Sequence, residues 1–171
     1  MTNVIFLDID GVLNHGFPET EKGEVREDGL IEQDKVKLLA GLVEEADAKL
    51  ILHSGWRFWF DETMKPLHKN AEILVLALAN ENLALSGKTP DLTTPEIRKT
   101  KKFSRVKASE ILLWVKMNTP ENWIVLDDLP LHSAEIEKHQ IQVDGKTGLT
   151  VQDINRAKVL FGRADGDWLL T

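Results

Sequence analysis

The chain contains no cysteine, and that absence removes several chemistries at once. There is no disulfide framework, no thiolate metal site and no thiol nucleophile. Long apolar runs are missing too. The longest, Ile73 to Ala79, falls far short of the ~20 residues a membrane-spanning helix needs. The first residues are apolar only until Asp8 interrupts them, too briefly for a signal sequence and without a basic start. The expectation is a cytoplasmic protein with no membrane association. Positive charge is also in short supply. A net charge of -7 argues against a protein that coats nucleic acid through bulk electrostatics, although it leaves room for a local basic patch. Internal repeats, low-complexity tracts and linkers are absent. The 171 residues suit a single domain spanning 1–171, which buries about two thirds of its unfolded surface.

What is present is organised around Val4 to Asn14. The apolar run Val4-Ile5-Phe6-Leu7 describes a short strand buried on both faces, as in the middle of a parallel sheet. It runs into Asp8-Ile9-Asp10 and then Gly11, where the chain turns sharply, so that both carboxylates can face one cleft. An unpaired charge is costly to bury, so packing explains such an ending poorly. The carboxyl ends of strands are where open α/β sheets place ligands. The bland alternative is an acidic turn after an ordinary strand.

Further along, residues 14–30 are polar and punctuated by glycine, and predict a short flap with Phe17 at its centre. Ile31 to Asp47 carries an apolar stripe (Val36, Leu39, Ala40, Val43, Ala46) at helical spacing. A second strand, Lys49 to His53, leads into Ser54-Gly55-Trp56-Arg57. Ser54 is either a donor to a ligand or a helix cap. His53 should point to the other side of the strand and receives no role. Trp56 lies beside the expected pocket as core or as a base-stacking surface. A helix from about Glu62 to Asn80, a strand at Leu83–Ser86 and a loosely ordered stretch from Thr89 to Ser104 follow. Six cations occur between Arg98 and Lys107, a local reversal of sign that is either a solvated face or a path for a polyanion. Lys107 sits in the first turn of a helix over 106–115, where a cation opposes the helix dipole. Trp123 to Leu126 is another buried-type strand, and it ends in Asp127-Asp128. Two such acidic pairs would each cost about 4 kcal/mol at 4 Å and an effective dielectric near 20, unless cations offset them. A short helix over 131–139, a strand near 140–143 and a capping box at Thr150 and Asp153 complete the pattern.

Taken in order, Asp8-x-Asp10-Gly11, Ser54, Lys107 and Asp127-Asp128, each at the end of a suitable element, resemble the four motifs of the haloacid dehalogenase-like (HAD) hydrolases. The short patterns Ser54-Gly-Trp-Arg, Glu110-Ile-x-x-Trp, Leu126-Asp-Asp-Leu and Asp144-Gly-x-Thr-Gly-Leu-Thr are similar to the HAD domain of Swiss Army Knife RNA repair proteins. The resemblance implies an α/β, three-layer, doubly wound parallel sheet of Rossmann-like type with a flap in place of a cap domain. It implies a Mg²⁺-dependent phosphatase in which Asp8 is the nucleophile that forms an aspartyl-phosphate and Asp10 is the general acid and base. Ser54, Gly55 and Lys107 would bind the phosphate, with Arg57 as a second clamp and Arg105 as the alternative to Lys107. Asp8, Asp127 and the backbone carbonyl of Asp10 would hold the metal, with Asp128 acting through water. The substrate would be a phosphomonoester, with a nucleotide or nucleic-acid end implied by the narrower resemblance. A small-metabolite phosphatase and a catalytically silent polyanion-binding module are the alternatives.

Overall fold

A computed structural model of the chain describes residues 2–15, 30–100 and 103–162. Five strands, β1 (Asn3–Leu7), β2 (Ala48–Leu52), β3 (Leu85–Lys88), β4 (Asn122–Asp127) and β5 (Gln140–Gln142), pair in parallel in the order β3-β2-β1-β4-β5. The expected α/β architecture is therefore the observed one. The chain runs outward from β1 through β2 to β3, then crosses back to add β4 and β5 on the other side of β1. That reversal leaves a crevice between the carboxyl ends of β1 and β4, where sheets of this kind bind ligands.

The alternation of side chains along the central strands decides which helix lies on which face. Ile5, Leu7, Leu50, Leu52, Ile124 and Leu126 pack with α1 (Gln33–Ala46), α2 (Lys69–Ala79) and α6 (Val151–Leu160). Val4, Phe6, Ile51, Trp123 and Val125 pack on the opposite face, against α4 (Phe103–Asn118) and α5 (Ala134–Glu137). Phe6, fully buried, meets the edges of the Trp114 and Trp123 rings at 5.3 and 5.9 Å. A further helix, α3 (Pro95–Thr100), buries none of its residues. No helix among the described residues is long and apolar enough to cross a membrane.

Several boundaries differ from the sequence expectation, each for a local reason. The helix expected from Glu62 begins only at Lys69. Asp61 accepts bonds from the Thr63 and Lys65 amides and the Thr63 hydroxyl, a side chain-to-backbone turn that competes with helix. Pro66 pairs with Phe60 in an isolated bridge, and His68 then caps the helix. Strand β3 starts two residues later than expected, after the chain passes Asn82 in a left-handed conformation (φ 59°). The stretch read as loosely ordered contains α3, with Pro95 at its first position, where a missing N–H costs nothing. Helix α4 is already formed at Phe103, so Lys107 lies beyond its first turn. The helix expected over 131–139 shrinks to Ala134–Glu137, capped by Ser133. The capping box of Thr150 and Asp153 forms as expected.

The expected flap and Phe17 fall on residues 16–29, and Lys101 and Lys102 are likewise outside the described residues. The two points where the chain leaves and rejoins at the flap are tied together. Asn14 Nδ2 donates to the Leu30 carbonyl at 2.9 Å, and the Glu32 amide donates to the Leu13 carbonyl at 2.8 Å.

Candidate active site

Parallel register builds the centre of the site. Leu7 is level with Leu52 on one side and with Leu126 on the other. The next residues, Asp8, His53 and Asp127, therefore come side by side, on the same face as Phe6, Ile51 and Val125. That face carries α4, which delivers Lys107. Candidate ligand atoms of Asp8, His53 and Asp127 all lie within 4.8 Å of one another, and all three residues are buried. The Lys107 ammonium stands 3.1 Å from Asp127 Oδ2 and 3.6 Å from Asp8 Oδ1.

The two carboxylates experience opposite fates. Burial pushes the Asp8 carboxyl well above the ordinary carboxylate range, Lys107 opposes this, and Asp127 and Asp128 reinforce it. Burial also acts to raise Asp127. There it is outweighed by the His53 hydrogen bond at 2.9 Å, the nearby Lys107 and the Leu129 amide on Oδ1 at 2.9 Å, so Asp127 stays strongly ionised. His53 is driven below its usual pKa by burial, against the pull of Asp127. Its Nδ1 is buried without a partner. The neutral ring with its proton on Nε2 is the tautomer that fits, because a second N–H would be stranded. Lys107 is raised despite burial, since Asp8 and Asp127 both favour its charged form.

Around this core the loop after β1 is fixed by its own polar groups. Gly11 adopts φ 79°, and its amide donates to Asn14 Oδ1 at 2.9 Å. Asp10 is aimed by two neutral donors, with Asn14 Nδ2 at 3.2 Å on Oδ1 and Trp56 Nε1 at 3.1 Å on Oδ2. Asp128 sits in a cradle of two glycines. A Cβ added at Gly11 would come within 2.4 Å of Asp128 Oδ2, and one at Gly145 within 2.7 Å. The turn after β5 closes over the same loop: the Leu149 amide donates to the Val12 carbonyl at 2.8 Å, and Gly148 (φ 70°) leaves room for the Asn14 carbonyl.

Residues 4–154 match the family described as the HAD domain in Swiss Army Knife RNA repair proteins. The chain belongs to this family. Searches of curated proteins and of solved structures give no match. Membership makes the chain a HAD-type hydrolase, and HAD domains typically use a divalent metal. The donor set suits one. Three carboxylates converge on a single lysine, and the Asp8 and Asp128 carboxyls are both pushed up, chiefly by burial and in addition by neighbouring carboxylates. The cluster thus carries more negative charge than its own cation offsets, and it offers the hard oxygen ligands that such ions take.

Of the expected site residues, Asp8, Asp127, Asp128 and Lys107 come together in the HAD domain, and Asp10, two residues after Asp8, is held by Asn14 and Trp56. Of the two cations considered, Lys107 takes the position at Asp8. Two expectations are corrected, for Arg57 and for His53. Arg57 is no free clamp: it is buried, its Nη2 bonds Glu110 at 2.7 Å, and its Nη1 bonds the carbonyls of Ser54 at 3.1 Å and His53 at 3.4 Å. Trp56 realises its core alternative, being 5 % exposed with its indole N–H committed to Asp10. Ser54 realises its capping alternative, accepting from the Trp56 amide at 3.1 Å, which leaves its hydroxyl proton to donate. Gly55 follows it at the rim, with open space on its side-chain face. His53 and Asn14 were the residues missed. The strand alone puts His53 on the side opposite Ser54, and that side is the one Asp8 and Asp127 share.

Proposed function

We propose that the chain is a Mg²⁺-dependent phosphatase of phosphomonoesters that works through an aspartyl-phosphate on Asp8. The observation that carries this is the pairing of Asp8, buried beside Lys107 at the switch crevice, with a second carboxylate, Asp10, held by Asn14 and Trp56. Family membership supports the same reading. Asp8 Oδ attacks phosphorus as the bond to the leaving oxygen breaks, and Asp10 gives that oxygen its proton. Asp10 then takes a proton from water, which attacks the acyl phosphate at phosphorus and returns Asp8 with inorganic phosphate. Lys107 and the Ser54 hydroxyl bear the charge on the phosphoryl oxygens.

Asp8, the Asp10 carbonyl, Asp127 and Asp128 would hold Mg²⁺. Asp128 is the stronger direct ligand beside Asp8, since Asp127 Oδ2 already receives His53 and Lys107. When bound, the ion supplies positive charge that offsets repulsion between the Asp8 carboxylate and a phosphate dianion. The protein should release phosphate from an aryl phosphate with Mg²⁺ and not after chelation. Mg²⁺ at about 100 times its Kd should raise the Tm by roughly 5–10 °C, from ~2.7 kcal/mol of linkage. Asp128→Ala should lose that shift; an undiminished shift would remove Asp128 from the metal site.

Trp56 gives a separate check on Asp10. Trp56→Phe keeps an aromatic ring beside Trp59, 5.2 Å away, and deletes only the N–H to the carboxylate. A hydrogen bond to a charged group is worth ~1.5–3 kcal/mol, so kcat should fall by about tenfold or more. An unchanged kcat would mean that Asp10 is not held for catalysis by this bond.

A further inference from the structure

Resting on the phosphatase reading, we propose that the cavity beside Lys107 is the leaving-group pocket, and that it takes a planar aromatic ring such as a nucleobase. The cavity, about 630 Å³, is walled by Phe58, Phe103, Val106 and Leu129, and reaches Gly55 and Lys107. Its size lies within the range of small-ligand sites. Lys107 joins it to the chemistry, since the same ammonium stands 3.6 Å from Asp8. A phosphoryl group at Asp8 therefore has its ester oxygen's substituent next to this space.

The lining selects the class of substituent. Phe58 is 53 % exposed, Leu129 48 % and Phe103 40 %, an apolar patch on a chain of net charge -7. Contiguous exposed apolar side chains of this kind mark binding sites. Phe58 is also held in place: the buried Arg57 guanidinium lies 4.5 Å from its ring centroid, and Arg57 is itself locked to Glu110. An exposed ring with a buried anchor is preorganised to stack. The other charges in the wall are spoken for. Arg57 pairs with Glu110, and Arg98 Nη2 bonds Asp91 at 3.2 Å. The pocket is therefore a largely apolar slot with Lys107 at its Asp8 end and Arg98, in an exposed pair with Asp91, also in its wall, suited to a ring that carries a phosphate. A sugar or polyol phosphate would place hydroxyls against phenyl rings, where they find few partners.

The test compares kcat/KM for a nucleoside monophosphate, an aryl phosphate and glycerol phosphate. Wild type should prefer the aromatic substrates about tenfold or more, the scale of one stacked ring. Phe58→Ala and Phe103→Ala should collapse that ratio towards one, with Phe58→Leu in between, while thermal unfolding reports that each variant is folded. Calorimetric binding of the nucleoside monophosphate and glycerol phosphate to Asp8→Asn, and to that variant with Phe58→Ala, repeats the comparison without turnover. Absence of phosphate release from every substrate would refute the phosphatase reading, while the calorimetric ratio still judges the pocket. An aromatic preference absent from wild type, or unmoved by both Phe substitutions, would overturn the proposal. An added arm with phosphorylated oligonucleotides identifies the ring's source: tighter than the mononucleotide supports a nucleic-acid end, and equal supports a free nucleotide.

Discussion

Asp8→Asn is expected to be inactive and more stable than the unmodified protein in the absence of metal. The loss of activity follows from the nucleophile, for which a fall on the order of 10⁴-fold or more in kcat is ordinary. The gain in stability follows from the direction of its pKa. Asp8 is raised in the folded state, chiefly by burial and with Asp127 and Asp128 adding to it. A raised acid contributes stability below its unfolded pKa of ~3.9, and this is lost as pH rises through the folded value. At pH 7 the folded protein thus carries a carboxylate it would rather protonate. Asparagine keeps the shape and removes that charge. Thermal unfolding with EDTA at pH 7 should show the variant above wild type, with the gap narrowing as pH falls towards 4. Mg²⁺ should reverse the order, because only wild type gains the full benefit of the ion. Equal or lower stability of the variant in EDTA would contradict the electrostatic account, and residual turnover would exclude Asp8 as nucleophile.

Glu110→Ala should be the most damaging single change outside the reacting groups. Glu110 and Arg57 are 1 % and 4 % exposed and 2.7 Å apart, and the same Glu110 oxygen accepts the Leu92 amide at 2.8 Å. Removing one member of a buried pair costs ~3–5 kcal/mol, since it strands the other charge. Here the stranded group is worse placed than most, because Arg57 Nε already lacks a partner. A drop of roughly 10 °C or more in Tm is expected. Replacing both members by apolar residues, Arg57→Met with Glu110→Leu, should recover part of the loss, as buried pairs often exchange for hydrophobic packing at little cost. A Tm within about 2 °C of wild type for Glu110→Ala would show that water reaches this pair.

Much of this was legible in the chain because it follows from parity and charge. Val4–Leu7 and Trp123–Leu126 announce buried parallel strands, and carboxylates at their ends need a cation or a ligand to be tolerable. Thr150 and Asp153 form a local motif, and local motifs survive folding. His53 is not legible in its own strand without the neighbouring ones. Counting from Ser54 places His53 on the far side, whereas counting from Phe6 and Val125 places it with Asp8 and Asp127. Register across strands is not written in either segment alone. Asn14 shows the same gap: its partners, Asp10 and Leu30, lie four and sixteen residues away. Arg57 and Trp56 have the side chains that bind phosphates and bases, and only packing reveals that Glu110 and Asp10 have claimed them.

The turn after β5 has a consequence for the order in which the protein becomes an enzyme. Gly145 cradles Asp128, and Leu149 with Gly148 clasps the loop at Val12 and Asn14. Residues 8–14 are made before the segment whose contacts set them in place, which lies about 130 residues further along the chain. A nascent chain can therefore pair β1 with β2 while Asp8 and Asp10 remain unaligned. The site is completed only when the clasp closes.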